Sequence, residues 1–343
     1  MSLPRGAGKP WVAVVGAGIA GLAAANELHR AGCRVTVVDK GKNPGGRMSR
    51  KRSPADATTG WDHGAQYFTA RDEAFVRQVA DWQRGGVVDA WNGRFVLACN
   101  GAFTAEPGEA RWVGKPAMNA PLRDLAARLP HGSVRCECRV EHVLRDGDRF
   151  ALQLVAESKG MELAEARFDA VLVTTPAPQA ASLLASEPQL QQRLAAVRML
   201  PCTALMLGFD SPIDVAWDAA RVEQDPVLAW VARDTSKPGR ARGERWVLHA
   251  TPSWSEAHFA DDASSAELLA SFAALTGNRA APRLAVRHGW RFARVEQPLD
   301  VPCLAAADGK LAFAGDACLG ARVEDAWRSG SAAGTQLAAR LRS

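Results

Sequence analysis

A turn punctuated by glycines, set between a buried strand and a helix, constrains this chain more than any other feature. Residues Trp11–Ala31 run from an apolar strand through Gly16, Gly18 and Gly21 into a helical pattern. Gly16 permits the tight turn, Gly18 lets the backbone approach a phosphate, and Gly21 lets helix and strand pack closely. The N–H groups of Ile19 and Ala20 at the helix start then face an anion. A second strand, Cys33–Val38, ends at Asp39, followed by Lys40. A carboxylate there accepts from a ribose hydroxyl pair and repels a 2′-phosphate, so the unit binds an adenine dinucleotide. The pattern alone does not separate NAD from FAD.

The separation comes from two further segments. After Asp39 the chain continues through Gly45-Gly46-Arg47-Met48, a loop suited to wrap a second side of a pyrophosphate by backbone approach and charge-assisted hydrogen bonds. Near the other end, Lys310–Ala314 reads as a short buried strand with Gly315-Asp316 at its carboxyl end, and a helix begins around Val323-Glu324. A helix start is electropositive and a reduced flavin is negative along its pyrimidine edge, so this placement favours FAD.

These residues resemble those of the flavin-containing amine oxidase superfamily, and within it the bacterial renalases. The resemblance rests on Gly16–Gly21, Asp39, Gly45–Met48, Asp62–Arg71, Arg111–Pro116, Thr174–Gln179, Trp246–Thr251, Gly315-Asp316 and Arg322–Trp327, and so spans nearly the whole chain. It implies noncovalent FAD, despite Cys318 beside Gly315-Asp316. It also implies a backbone contact to adenine at Val140, pocket positions at Ala65, Gln66 and Tyr67, and a role for Pro176 where the chain leaves the nucleotide domain. Asp325 departs from the glycine implied beside the flavin-facing helix start.

The fold expected is α/β: a Rossmann-like FAD-binding domain with a second α+β substrate domain roofing the flavin. The first takes residues 11–72, 115–178 and 300–343; the second takes 73–114 and 179–299. A chain of 343 residues, 47% of them apolar, is long enough for two cores. Helical spacing marks Asp72–Arg84, and Ser133–Val173 reads as a meander, with strands Val134–Val143, Phe150–Ala156 and Ala170–Thr174 divided by turns at 145–148 and near 159–160. Strands are expected around Ala204–Phe209, Val227–Ala232, Trp246–Thr251 and Leu284–Phe292, with a helix at Ser264–Leu275.

Charge and cysteines narrow the setting. The formal charge of +5 is dispersed, and no basic helix with interleaved aromatics indicates nucleic acid. Seven cysteines without a Cys-x-x-Cys read as reduced thiols in a cytoplasm. Met1–Pro10 reads as a polar tail without a signal peptide, and no run reaches the roughly 20 apolar residues of a membrane span. Metal-ligand spacing, a Gly-x-Ser-x-Gly elbow and a phosphate loop ending Gly-Lys-Ser/Thr are all missing from the sequence.

Redox chemistry carried by the cofactor remains. Candidate substrate-orienting residues are Gln66, Tyr67, Trp230, His249 and Trp290, with no obligatory catalytic side chain beyond the flavin N5. His249 shares a strand face with Val247 and Thr251; the resemblance implies a hydrogen bond from it to a carboxamide. Arg111 and Lys115 could meet an anionic substrate or simply be solvated. Tyr67 is the single tyrosine, so a two-tyrosine cage around an amine cannot be built. A dihydronicotinamide already donates hydride and needs no base. The resemblance implies an oxidase of 2-dihydro or 6-dihydro isomers of NAD(P)H, the 2-dihydro form favoured, with dioxygen giving hydrogen peroxide. The alternatives are an amine oxidase or desaturase acting on a small amine, and a non-enzymatic flavoprotein sensor.

Overall fold

A computed structural model describes residues 8–54, 56, 58–261 and 265–343. Most of the polar tail, and Ser264 of the expected helix, lie outside the described residues. The chain divides into two compact units: residues to Gly46 with Leu122–Arg198 and Val295–Ser343, and Arg47–Pro121 with Met199–Arg294. The expected domain ranges differ from these units at residues 47–72, 115–121, 179–198 and 295–299.

The first unit is built on a six-stranded sheet in the order Leu304–Ala305, Leu311–Phe313, Ala170–Val173, Trp11–Val15, Arg34–Val38, Val134–Arg135. The inner strands pair in parallel, Val12 with Val35 on one side and Ala170 on the other. Val12–Val14 and Val171–Val173 are completely buried, as strands covered on both faces must be, which is why they read as unbroken valine-rich runs. Helices Ile19–Arg30 and Val323–Arg342 pack against each other. Their closeness depends on Gly330, where a Cβ would drive into the Ala20 carbonyl, and on Gly334, where it would stand 2.7 Å from the Ala24 oxygen.

The expected continuous strand Val134–Val143 is broken. Val134–Arg135 joins the parallel sheet, whereas Val140–Asp146 forms a hairpin with Arg149–Leu154. Between them Glu137 takes a φ of 57°, and Glu137 N and Cys138 N donate to Gly41 O and Asp39 O. These bonds fold the chain back over the loop after Asp39. The segment after Pro176 is helical over Ala177–Leu183 and Pro188–Ala195.

The second unit holds a seven-stranded sheet in the order Leu284–Val295, Met199–Phe209, Glu244–Ala250, Leu228–Arg233, Ala219–Glu223, Phe95–Cys99, Ala102–Ala105. Period-2 alternation sends Trp246, Leu248, Leu205, Leu207 and Val231 to one face, where Leu268 and Phe272 of helix Ser265–Thr276 close the core. Met206 and Val247 point the other way and pack with Trp61, whose Nε1 donates to Leu207 O at 2.9 Å. Asp72 caps helix Glu73–Arg84 by accepting from Ala74 N and Phe75 N. Thr251 does not share the strand face with His249. It lies beyond the strand end and caps helix Pro252–Ala257, its Oγ1 accepting from Trp254 N at 3.2 Å and donating to Pro226 O at 2.7 Å.

Candidate active site

In the first unit the glycine turn has the form its ligand requires. Gly16 adopts φ +116°, and a Cβ there would come within 2.6 Å of Thr174 Oγ1; at Gly21 a Cβ would strike the Gly16 carbonyl. Gly18 is different, because a Cβ there would meet no atom within 4 Å. The open space lies at the start of helix Ile19–Arg30, which has no side-chain cap and no acid in its first turn. Its leading N–H groups, including those of Ile19 and Ala20, are thus offered to an anion.

Asp39 stiffens this turn. Its Oδ2 accepts from Ala17 N and its Oδ1 from Gly41 N, both at 2.7 Å. Each oxygen keeps a further lone pair free to accept from a ligand hydroxyl. Lys40 is exposed. Gly45 N donates to Ala17 O at 3.1 Å, which brings Gly46, at φ +51°, beside Gly18.

Other expected residues gather at the carboxyl ends of the same sheet. Gly315 follows strand Leu311–Phe313, and its N–H donates to Ser329 Oγ at 3.0 Å. Asp316 and Glu324 are buried. Pro176 opens helix Ala177–Leu183, and Val140 opens the hairpin, paired with Leu154. Val323 begins the last helix. Asp325 acts as its cap: Oδ2 accepts from Arg322 N at 3.3 Å and from Arg322 Nε at 3.1 Å. Gly320 makes the room, since a Cβ there would lie 2.6 Å from that oxygen. Sequence reasoning missed Thr175, whose buried Oγ1 has no partner among the described residues. Its signal was available in its place at the carboxyl end of the strand beside Trp11–Val15, where ligands of such sheets bind. Cys318 is buried, which pushes its thiol up to about 11 and keeps it protonated.

In the second unit, Arg47 Nη1 donates to Ala293 O at 3.2 Å, and Arg47 O accepts from Ala65 N at 2.9 Å. Met48 is buried. Gly64 is tight against Arg47 O, where a Cβ would clash. Gln66 is locked at both ends of its amide: Nε2 donates to Gly64 O at 3.0 Å and to Asp62 O, and Oε1 accepts from Lys237 Nζ at 3.0 Å. What Gln66 retains for a ligand is its backbone and one Oε1 lone pair.

Lys237 belongs to a buried charge cluster that sequence reasoning did not detect. Its Nζ lies 2.8 Å from Asp234 Oδ1 and 3.4 Å from Asp62 Oδ2, and Arg240 Nη2 also reaches Asp62. Burial opposes ionisation of Asp62. The charges of Arg240 and Lys237, with a bond from Met118 N, outweigh it and hold the carboxyl below its ordinary range.

His249 and Trp230 are direct cross-strand partners on the sheet face that carries Val247, so their side chains stand side by side. His249 Nε2 contacts His63 O at 3.2 Å. A carbonyl only accepts, so Nε2 carries the proton and Nδ1 is the acceptor. Burial depresses the His249 imidazolium to about 4, which keeps the ring neutral at pH 7. No donor reaches His249 Nδ1 among the described residues. Trp230 Nε1 is a buried donor with no acceptor among them. Tyr67 lies against Trp230, ring centroids 5.7 Å apart. Trp290 Nε1 donates to His63 O at 3.0 Å, and its ring packs with His63 and His288. Burial, then the nearby His288, depress His63 to about 3.

Of the expected substrate-orienting residues, Tyr67, Trp230 and His249 thus share one patch. Trp290 joins it through His63, and Gln66 is turned into the charge cluster.

A family model for an NAD(P)-binding Rossmann-like domain matches residues 14–81, and one for flavin containing amine oxidoreductases matches residues 85–338. The chain belongs to the flavin-containing amine oxidoreductase family. Its cofactor is FAD, and the open space at Gly18, the uncapped helix start and the unpartnered Thr175 hydroxyl fit that group.

The solved structures share the fold. Over 63 residues, 18% of this chain, it is 46% identical to hydroxyneurosporene desaturase from Cereibacter sphaeroides. The matching stretches span 7% and 12% of the lengths of the curated relatives. Cyclohexylamine oxidase from Brevibacterium oxydans IH-35A superposes with a TM-score of 0.76 at 14% identity, covering 98% of this chain and 100% of that one. A protein described as a protoporphyrinogen oxidase from Exiguobacterium sp. 255-15 gives 0.76 at 13% identity, with the same coverage. No described helix is long and apolar enough to cross a membrane, and no metal-binding cluster of His, Cys, Asp or Glu occurs among the described residues.

Proposed function

We propose that this flavoenzyme is renalase-like and oxidises the 2-dihydro or 6-dihydro isomers of NAD(P)H to NAD(P)+. The pairing of Trp230 with His249 carries the reading. It sets an unanswered N–H donor beside an unanswered nitrogen acceptor on one sheet face. A carboxamide has the complementary pair, its C=O accepting from Trp230 Nε1 and its NH2 donating to His249 Nδ1. Leaving such a buried donor unpaired costs about 1–3 kcal/mol, which a carboxamide would recover. Tyr67 supplies an aromatic surface for the adjoining ring.

FAD, when bound, would supply the hydride acceptor, and dioxygen with one proton would take the two electrons as hydrogen peroxide. The protein groups bind and orient. Gly16–Gly21, Asp39 and Gly46 hold the dinucleotide, and Arg47, Met48 and Ala65 complete the loop proposed to wrap it. Neutral His249 offers the substrate only its Nδ1 acceptor, and with its imidazolium depressed to about 4 it is a weak base, in keeping with a donor that loses hydride without prior deprotonation. The seven free cysteines support a reducing, cytoplasmic setting.

A second reading has its own support. Tyr67 and Trp230, tilted 48° to each other, could flank a small amine as a mixed aromatic cage, and a structural neighbour is named for an amine substrate. Oxygen consumption and peroxide release with a panel of dihydronicotinamide isomers and small amines separate the two. Turnover of a dihydronicotinamide isomer supports the first reading. Turnover of amines alone overturns it, and turnover of neither leaves the flavoprotein sensor.

A further inference from the structure

Arg111 closes one end of the aromatic row that begins at Trp230. Its guanidinium carbon lies 3.9 Å from the centre of the Phe95 ring and 5.5 Å from that of Tyr67, and Tyr67 in turn packs on Trp230. The side chain is only 13% exposed. Its bonding is thin for so buried a cation: Nη2 donates to the Glu106 carbonyl at 3.3 Å, and the Glu106 carboxylate is 3.8 Å away. That carboxylate is already taken by Arg221 Nε at 2.6 Å. Arg111 Nε and Nη1 meet no acceptor among the described residues. A guanidinium held over an aromatic ring, with two N–H-bearing nitrogens unanswered, is preorganised to receive a planar fork of anionic oxygens.

We propose that Arg111 receives the 5′-phosphate of a nicotinamide nucleotide whose carboxamide is held by Trp230 and His249. The inference rests on the dihydronicotinamide reading and extends it: the preferred substrate is a phosphorylated nucleoside, not the bare riboside. From Trp230 to Arg111 the row spans two ring contacts. From carboxamide to 5′-phosphate a nicotinamide nucleotide spans its ring and one ribose, a spacing of the same order. Arg221 Nη1 also pairs with the Glu223 carboxylate, so Glu106 and Glu223 together balance the two guanidiniums, and what Arg111 holds open for an anion is its two unbonded nitrogens.

The test compares the phosphorylated and unphosphorylated forms of one ligand. For the FAD-loaded protein, kcat/KM is measured with the dihydro isomers of nicotinamide riboside and nicotinamide mononucleotide. Affinity for oxidised mononucleotide and riboside is measured by perturbation of the flavin spectrum, which needs no turnover. The mononucleotide is expected to be favoured about 10- to 100-fold in both measurements. In Arg111→Ala that ratio collapses toward one, and Arg111→Lys keeps an intermediate ratio. A ratio near one in the wild type, or the same ratio in wild type and Arg111→Ala, overturns the inference. Failure of every dihydronicotinamide to reduce the wild-type flavin, with mononucleotide still bound more tightly than riboside, instead overturns the substrate reading.

Discussion

Trp230 faces His249 across two antiparallel strands, a buried donor without an acceptor beside a neutral ring whose free nitrogen only accepts. Trp230→Phe keeps the aromatic surface and removes the donor. For a carboxamide-bearing substrate, KM is expected to rise about fivefold, the worth of one neutral hydrogen bond, with the limiting rate of flavin reduction changed far less. Stopped-flow reduction across a substrate series reads both, and an unchanged KM would remove Trp230 from the carboxamide contact.

Gly18 and Gly330 should separate cofactor binding from folding. Gly18→Ala adds a Cβ into space that holds no protein atom within 4 Å, at φ −79°, which alanine accepts. The apoprotein's thermal midpoint is expected to hold while FAD affinity falls. Gly330→Ala drives a Cβ into the Ala20 carbonyl between two packed helices and is expected to cost about 1–3 kcal/mol by overpacking. Thermal melts of the apoproteins and FAD titrations check both.

The Lys237 cluster sets a third expectation. Lys237→Met strips the buried carboxylates of Asp234 and Asp62 of a shared cation and should destabilise the fold by about 3–5 kcal/mol. Adding Asp234→Asn to that variant removes one stranded charge and should restore part of the loss. Urea unfolding of the single and double variants measures it; equal midpoints for all three proteins would show that the cluster contributes nothing.

The buried histidines fix the direction of the acid response. Folded His63 titrates at about 3 and His249 at about 4, against an ordinary value of 6.5. As pH falls below 6.5 the unfolded chain takes up protons that the folded chain refuses, so their contribution is complete at neutral pH. It declines from about pH 6.5 toward pH 4 and below. His63→Phe keeps the packing on His288 and Trp290 and should make the fall of the thermal midpoint between pH 6.5 and 4.5 shallower.

What the sequence made legible follows from how local each signal is. Gly16, Gly18 and Gly21 act within one turn, and the valine runs report burial strand by strand, so the nucleotide unit could be read directly. The alternation around Trp246–Ala250 placed His249 on a face, but only the pairing register set Trp230 beside it. The lock on Gln66 was hidden because Lys237 lies 171 positions away, in a stretch of turn-forming residues with no periodicity to mark it as buried. Asp325 was also opaque, since its capping depends on the room left by Gly320.

The most direct test of the account is a single anaerobic turnover. FAD-loaded protein is mixed with one equivalent of the 2-dihydro isomer of nicotinamide mononucleotide, and flavin absorbance and nicotinamide product are followed together. The account predicts that the flavin bleaches and that one oxidised nicotinamide appears for each flavin reduced. A flavin that stays oxidised with this donor and the 6-dihydro isomer, yet bleaches with a small amine, would contradict it.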